Sequence, residues 1–222
     1  MKNITFLLGI ILLTTSCKSL QFSSLNRSTP LEQKLPPLEP AFDTESFALD
    51  YADIYDIPSV ILSRNTTTLN NAINKATIEL KIAEDTKRIF STELIRNISE
   101  SAGKTAGYVV CRRGLRSKGI KTYVNPIVSW LTLGIANVFG YTYATVRDDL
   151  EVVIDIYDLN DKVIGSYTGA GYGEAKIKLY RGYTNSDARR LAHARAFKVA
   201  MEDVKAQIKD NQNNLTSLLT NN

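Results

Sequence analysis

The clearest pattern in the chain is an alternation of apolar and polar positions. Leu150, Val152, Ile154 and Ile156 interleave with Glu151, Val153, Asp155 and Tyr157, the period of a strand with one buried face. Residues 158–162 (DLNDK) read as a turn, and residues 162–172 return as a second strand. A two-residue Asn160-Asp161 loop suits the turn, because both residues tolerate positive φ. That register sets Ile156 opposite Gly165, Ile154 opposite Tyr167, Val152 opposite Gly169 and Leu150 opposite Gly171. The buried face of the return strand is therefore Gly-Tyr-Gly-Gly. Glycines there let another backbone come close, so a helix is expected to cross this face with Tyr167 wedged beside it.

Helical periods flank the hairpin. Leu191, Ala194, Phe197, Met201, Val204 and Ile208 form a stripe at spacings of three and four within residues 186–209, with Ser186 as N-cap and Asp187 in the first turn. Upstream, Ile89, Phe90, Leu94, Ile95 and Ile98 give residues 83–98 an apolar helical face, ended by Gly103. Residues 69–82 fit either a continuation of that helix or a strand, since residues 78–82 alternate. Residues 107–113 (GYVVCRR) carry a strong strand signal, and residues 46–49 and 59–63 read as shorter strands. The pattern predicts an α+β fold, an antiparallel β-sheet with two helices packed on one face. Strand order does not follow from it.

Outside this pattern lie three stretches of different character. Residues 1–17, MKNITFLLGIILLTTSC, place Lys2 before a short apolar run and small residues before Cys17, the layout of a removable export signal too short to span a bilayer. The stretch Leu12-Leu13-Thr14-Thr15-Ser16-Cys17 resembles the lipobox of bacterial lipoproteins, with Thr14 where that family carries Leu, Val or Ile. The resemblance implies cleavage before Cys17 and a diacylglyceride on its sulfur. Ordinary cleavage after Ser16 is the alternative. Residues 17–41 hold four of the six prolines and read as a lipidated cysteine followed by a disordered tether. The predicted organisation is thus a signal at 1–16, the tether at 17–41, one domain at 42–209 and a polar, frayed tail at 210–222.

The third stretch, residues 123–143 (YVNPIVSWLTLGIANVFGYTY), is apolar but interrupted by Asn125, Pro126, Gly134, Asn137 and Gly140, which argues against a membrane-spanning helix. It reads as a core segment, a membrane-touching hairpin, or a partner-binding surface. A basic loop precedes it: Arg112, Arg113, Arg116, Lys118 and Lys121, with no acid between the first and last. With Trp130 and Phe139, these are the candidate contacts for membrane or partner; the alternative for the basic run is a solvated turn marked by Gly114 and Gly119.

Charge and chemistry add little. The formal charge of +4 falls to +3 when Lys2 leaves with the signal, too little for a nucleic-acid binder. Two cysteines give neither a disulfide framework nor a metal site; with Cys17 lipidated, Cys111 is a lone thiol, expected buried in a strand. His193 sits at the edge of the helical stripe with no motif to partner it. Asp148, Asp149, Glu151, Asp155 and Asp158 could suggest a cation site or an acid pair, but Glu151 and Asp155 fall on the polar face of the strand, where solvated carboxylates are expected. The sequence Gly169-Ala170-Gly171-Tyr172-Gly173 lacks the spacing of a nucleotide loop. No catalytic, cofactor or metal site is expected.

The expected function is that of a non-enzymatic envelope lipoprotein, in the periplasm or at the outer membrane, presenting an interaction domain to an envelope protein in assembly or maintenance. Lys18, where enteric inner-membrane lipoproteins carry Asp, favours the outer membrane. A membrane-inserting or oligomerising component using residues 123–143, and an envelope hydrolase with an unrecognised site, are the alternatives.

Overall fold

The computed structural model describes residues 28–47, 66–124, 141–178 and 183–220, with side chains from residue 75 onward in the second stretch. The chain is α+β. Its described elements are β1 (Leu38–Phe42), α1 (Thr44–Phe47), α2 (Thr66–Glu93), β2 (Gly107–Arg113), β3 (Gly119–Val124), β4 (Thr142–Asp158), β5 (Val163–Lys178), α3 (Asn185–Asp210) and α4 (Gln212–Thr220). The sheet is built on the 17-residue β4. β5 pairs along one side of it, while β2 and β3 share the other side end to end. β1 adds to the outer side of β2 and runs parallel to it, so the sheet is antiparallel except for that edge.

The hairpin register agrees with the alternation pattern. Ile156 faces Gly165, Ile154 faces Tyr167, Val152 faces Gly169 and Leu150 faces Gly171. The turn itself is one residue longer than expected. Asp158 accepts the amides of Asn160 and Lys162 at 2.8 and 2.9 Å, Asp161 takes φ 60°, and a register shift follows Ile156. This is a three-residue loop whose last residue is left-handed. Those amide bonds, from Lys162 first, lower the pKa of Asp158 against the opposing effect of its burial. β5 also continues to Lys178, six residues beyond the expected end.

The glycine face does receive a helix. α3 runs antiparallel to β5 so closely that a methyl on Gly169, Gly171 or Gly173 would fall on the carbonyl oxygens of Ala200, Ala196 and Ala192 respectively. A four-residue helical step advances about 6 Å and two strand residues about 6.6 Å, so the two repeats stay in step across three contacts. Tyr167 is buried beside them and its hydroxyl accepts from Asn211 Nδ2 at 2.9 Å. The N-cap of α3 is Thr184, whose side chain accepts from the Asp187 amide, two residues before the expected Ser186.

α2 lies beside α3 on the same face. The helical reading of residues 69–82 is correct, but helix and core face differ from expectation. α2 stops at Glu93, a π-helical turn covers Leu94–Ile98, and extended Ser99 ends it. Gly103, at φ 123°, lies beyond that end. Leu80 and Ile95 are exposed, whereas Glu79, Asp85 and Glu93 are buried. They meet bases of α3: Glu79–Arg189 at 3.0 Å, Asp85–Arg190 at 2.7 Å and Glu93–Lys205 at 3.3 Å. The partners ascend together in both helices, so α2 and α3 run parallel. Phe90, Leu94, Ile98, Phe197, Met201, Val204, Val109 and the free Cys111 close the core between helices and sheet; burial pushes the Cys111 thiol well above its usual pKa.

Three segments depart from the expected boundaries. Residues 28–41 are not a free tether. Leu31, Leu35 and Leu38 are buried, the Leu31 and Leu35 amides donate to Asn97 and Ile98 carbonyls at 2.8 and 2.9 Å, and the prolines fall in or before an edge strand, where a missing amide is tolerated. Residues 46 and 47 form part of the short helix α1, initiated by Asp43, whose carboxylate accepts the Ser46 amide at 3.1 Å. The polar tail contains α4, which turns Leu215 and Leu219 onto Gly165 and Gly107 at the end of the sheet. The expected strand at 59–63 lies outside the described residues.

Replacing Gly171 by Ala forces a methyl into the α3 backbone. It should cost about 2–3 kcal/mol through overpacking and lower Tm by roughly 5–10 °C. Ala170→Ser, on the opposite side of the strand, should leave thermal unfolding within about 0.5 kcal/mol of wild type.

Candidate functional site

Side chains at alternate strand positions point away from the helices, and among the described residues no helix covers that face. It carries a polar and aromatic lattice rather than an apolar patch. Tyr108 and Tyr157, opposite each other on β2 and β4, stack at 4.7 Å with their rings 3° apart. The Tyr108 hydroxyl donates to Asp161 at 2.8 Å, a bond that raises its pKa. Next along the face, Asp155 accepts from Arg112 Nε at 2.9 Å and from the Ser166 hydroxyl at 2.6 Å. Further on, Glu174 accepts from Arg147 Nε at 3.2 Å and from the Tyr172 hydroxyl at 3.0 Å. Arg147 also lies 5.0 Å from the ring centre of Tyr123. Burial, then the bond to Glu174, raises the pKa of Tyr172.

This lattice disperses the expected basic cluster. Arg112 is absorbed into the pair with Asp155 on the helix-free face, and Lys121 lies on β3 opposite Arg147. Arg113 ends β2 on the helix side of the sheet, where its guanidinium lies beside Gly119. Arg116 and Lys118 belong to an excursion between the collinear β2 and β3. Gly114 N donates to Glu151 O at 2.7 Å, Lys118 N to Asp149 O at 3.0 Å, and the Ser117 hydroxyl accepts the Glu151 amide at 3.0 Å. The excursion is therefore a pinned bulge with two exposed cations, and not a five-cation patch. Tyr123 and Val124 are strand residues. Trp130, Phe139 and Cys17 lie outside the described residues.

The acids are less solvated than their spacing suggests. Asp148 and His193 form a buried pair, Nδ1 to Oδ2 at 2.7 Å. The carboxylate is the acceptor, so Nδ1 carries the proton. Asp148 sits on β4 between Val146 and Leu150, and His193 reaches it from α3, with the Phe47 ring edge-on at 6.2 Å. The pair separates the main core from a smaller cluster of Val146, Ala175, Ala188, Leu191 and Ala192. Histidine Nε2 has no hydrogen-bond partner among the described residues. No hydroxyl or thiol among them donates to it. Among the described residues no three His, Cys, Asp or Glu side chains gather as a metal would need, and no helix is long and apolar enough to cross a membrane.

The chain matches no protein-family model and no curated protein. Among solved structures it is similar to the crystal structure of a "putative lipoprotein" from Caulobacter crescentus CB15, at 8% identity and TM-score 0.29, over 65% of this chain and 85% of that one.

His193→Ala leaves the Asp148 carboxylate buried without a partner and should destabilise the fold by about 3–5 kcal/mol in chemical denaturation. The double variant His193→Leu/Asp148→Val removes both polar groups and should recover a large part of that loss, giving a coupling energy on the order of 1–3 kcal/mol in the cycle. Additive losses would show that the two side chains do not act as a pair.

Proposed function

We propose that this chain is a non-enzymatic bacterial envelope lipoprotein, held by a lipid on Cys17, that presents the helix-free face of its sheet to a protein partner in assembly or maintenance of an envelope complex. The observation that carries the reading is the export segment ending in Leu12-Leu13-Thr14-Thr15-Ser16-Cys17. The fold supports it by geometry. Ten residues lie between Cys17 and Ser28, the first described residue. Ten residues span at most about 35 Å, so a lipid on Cys17 would keep Ser28 within that distance of the membrane surface. Two acyl chains would hold it there durably, each buried methylene contributing about 0.8 kcal/mol. The absence of Asp after Cys17 favours the outer membrane.

A second reading, a membrane-inserting or oligomerising component using residues 123–143, draws on one topological fact. Within that stretch residues 125–140 connect β3 to β4, whose ends pair as Val124 and Ala144, so the connection leaves from one end of the sheet. Protease protection of this segment in native membranes, abolished by detergent, is the outcome that reading requires.

Intact mass of the membrane fraction tests the first reading. Wild type should begin at Cys17 with a diacylglyceride, sediment with outer membranes, and cross-link to a discrete partner. Cys17→Ser should lose the lipid and leave that fraction while keeping its thermal unfolding. An unmodified Cys17, or a Cys17–Cys111 disulfide, overturns the proposal.

A further inference from the structure

We infer that the groove between the outer edge of β5 and α3 is a docking site for a short, extended, acidic peptide segment of a partner protein. The groove has a volume of about 480 Å³. One wall is the β5 edge at Tyr172 and Glu174, the floor is the outer side of α3 at Arg195, Lys198, Val199 and Glu202, and Thr29 closes one end.

The backbone wall sets the length of the occupant. β5 is an edge strand among the described residues, and its even-numbered residues from 168 turn their amides and carbonyls outward. α3 lies so near that its side chains reach some of those groups. Gln207 donates to Thr168 O at 2.8 Å, Asp203 accepts from Ala170 N at 3.2 Å, and Arg195 donates to Glu174 O. These contacts blunt the edge at both ends, the usual protection against strand-to-strand aggregation. Between them Ala170 O, Tyr172 N, Tyr172 O and Glu174 N have no partner among the described residues. Four groups on three residues fit a peptide of a few residues added as a strand. They exclude edge-to-edge pairing along the 16-residue strand of a second copy.

Charge sets the chemistry of the occupant. Both acids in the groove are neutralised. Glu174 is held by Arg147 and the Tyr172 hydroxyl. Glu202 pairs with Lys205 at 2.7 Å and contacts Ser28; those bonds lower its pKa despite its partial burial. The cations are less fully matched. Arg195 meets a backbone carbonyl, and Lys198 feels Glu93 and Glu202 without a direct ion pair to either among the described residues. Burial lowers the pKa of Lys198 in spite of those two acids, and an incoming carboxylate would relieve that cost. Val199 and Tyr172, both half exposed, offer apolar contact for the side chains on either side of the acid.

The inference rests on reading the domain as an interaction module and not on the lipid at Cys17; a peptide can bind whether or not Cys17 is modified, so the two fail separately. The probe is a set of acetylated, amidated (Val-Ser)4 octapeptides with Glu placed at each position in turn, and a matching Lys set, titrated into the isotope-labelled full mature chain. Members of the Glu set should shift the amides of Tyr172 and Glu174 saturably. Lys198→Glu should weaken binding at least tenfold, Arg195→Gln should weaken it several-fold, and Arg112→Ala on the helix-free face should leave it unchanged. No saturable shift with any Glu peptide, equal binding of the Lys set, or shifts centred on Tyr108 and Tyr157 would overturn the proposal. So would self-association through the edge, or binding that appears only after residues 18–27 are deleted, which would assign the groove to the chain's own N-terminal segment.

Discussion

The approach of α3 to the glycines of β5 is the constraint from which the rest of the architecture follows. Close contact between a helix and a strand requires both surfaces to lack bulk over several repeats. Ala192, Ala196 and Ala200 supply this on the helix, and Gly173, Gly171 and Gly169 on the strand. Dispersion between two backbones replaces the interlocking side chains usual at a helix–sheet interface. Because α3 sits low over β5, the large core residues collect on its other side, where Phe197, Met201 and Val204 meet Phe90, Val109 and Ile154. α2 then completes the layer at a height set by those side chains.

Alignment of the two helices is a separate matter, and polar groups govern it. A purely apolar seam would allow α2 to slide along α3. Glu79, Asp85 and Glu93 instead meet Arg189, Arg190 and Lys205 in order, and a slip by one turn would bury several charges unpaired. Desolvation offsets much of the attraction in such pairs, so their effect is on register more than on net stability. The Asp148–His193 pair does the same between α3 and the sheet. It fixes which turn of the helix faces which residue of β4, something that alternating Gly and Ala leave free to slip by one repeat.

The division between what was legible in the sequence and what was not follows the range of the interactions. β4, β5 and α3 were legible because period and register are local, and the glycine face followed from register alone. β1 was hidden by its prolines, which forbid a central strand but not an edge. α4 was hidden because only Leu215 and Leu219 mark its buried side in an Asn-rich stretch. Asp155 was read as solvated, and it is buried because Arg112 and Ser166 reach it from the neighbouring strands. Nothing local marked Glu79, Asp85 or Asp148, whose partners all lie on α3. The candidate site was legible only as residue types: Arg112 was marked as basic, but its pairing with Asp155 depends on the strand neighbours β2 and β4. The open segment of the β5 edge had no local signal. It exists because Arg195, Asp203 and Gln207 project from a helix brought close by glycine.

The two faces of the sheet satisfy their groups in different ways. Among the described residues the helices cover β2, β4 and β5, and the buried acids there meet bases, whereas Val124 at the end of β3 stays exposed. On the opposite face, the Tyr108–Tyr157 stack and the Arg112–Asp155 and Arg147–Glu174 pairs satisfy one another, with the two arginines half exposed. In the role we propose for this face, such half-exposed charges would set encounter and specificity more than affinity. The N-terminal strap, pinned where Ser28 meets Glu93, Glu202 and Lys205, enters the domain beside the β5 groove. Whatever holds residue 17 therefore holds that edge within the reach of ten residues, and a partner bound there would share the position of the anchor.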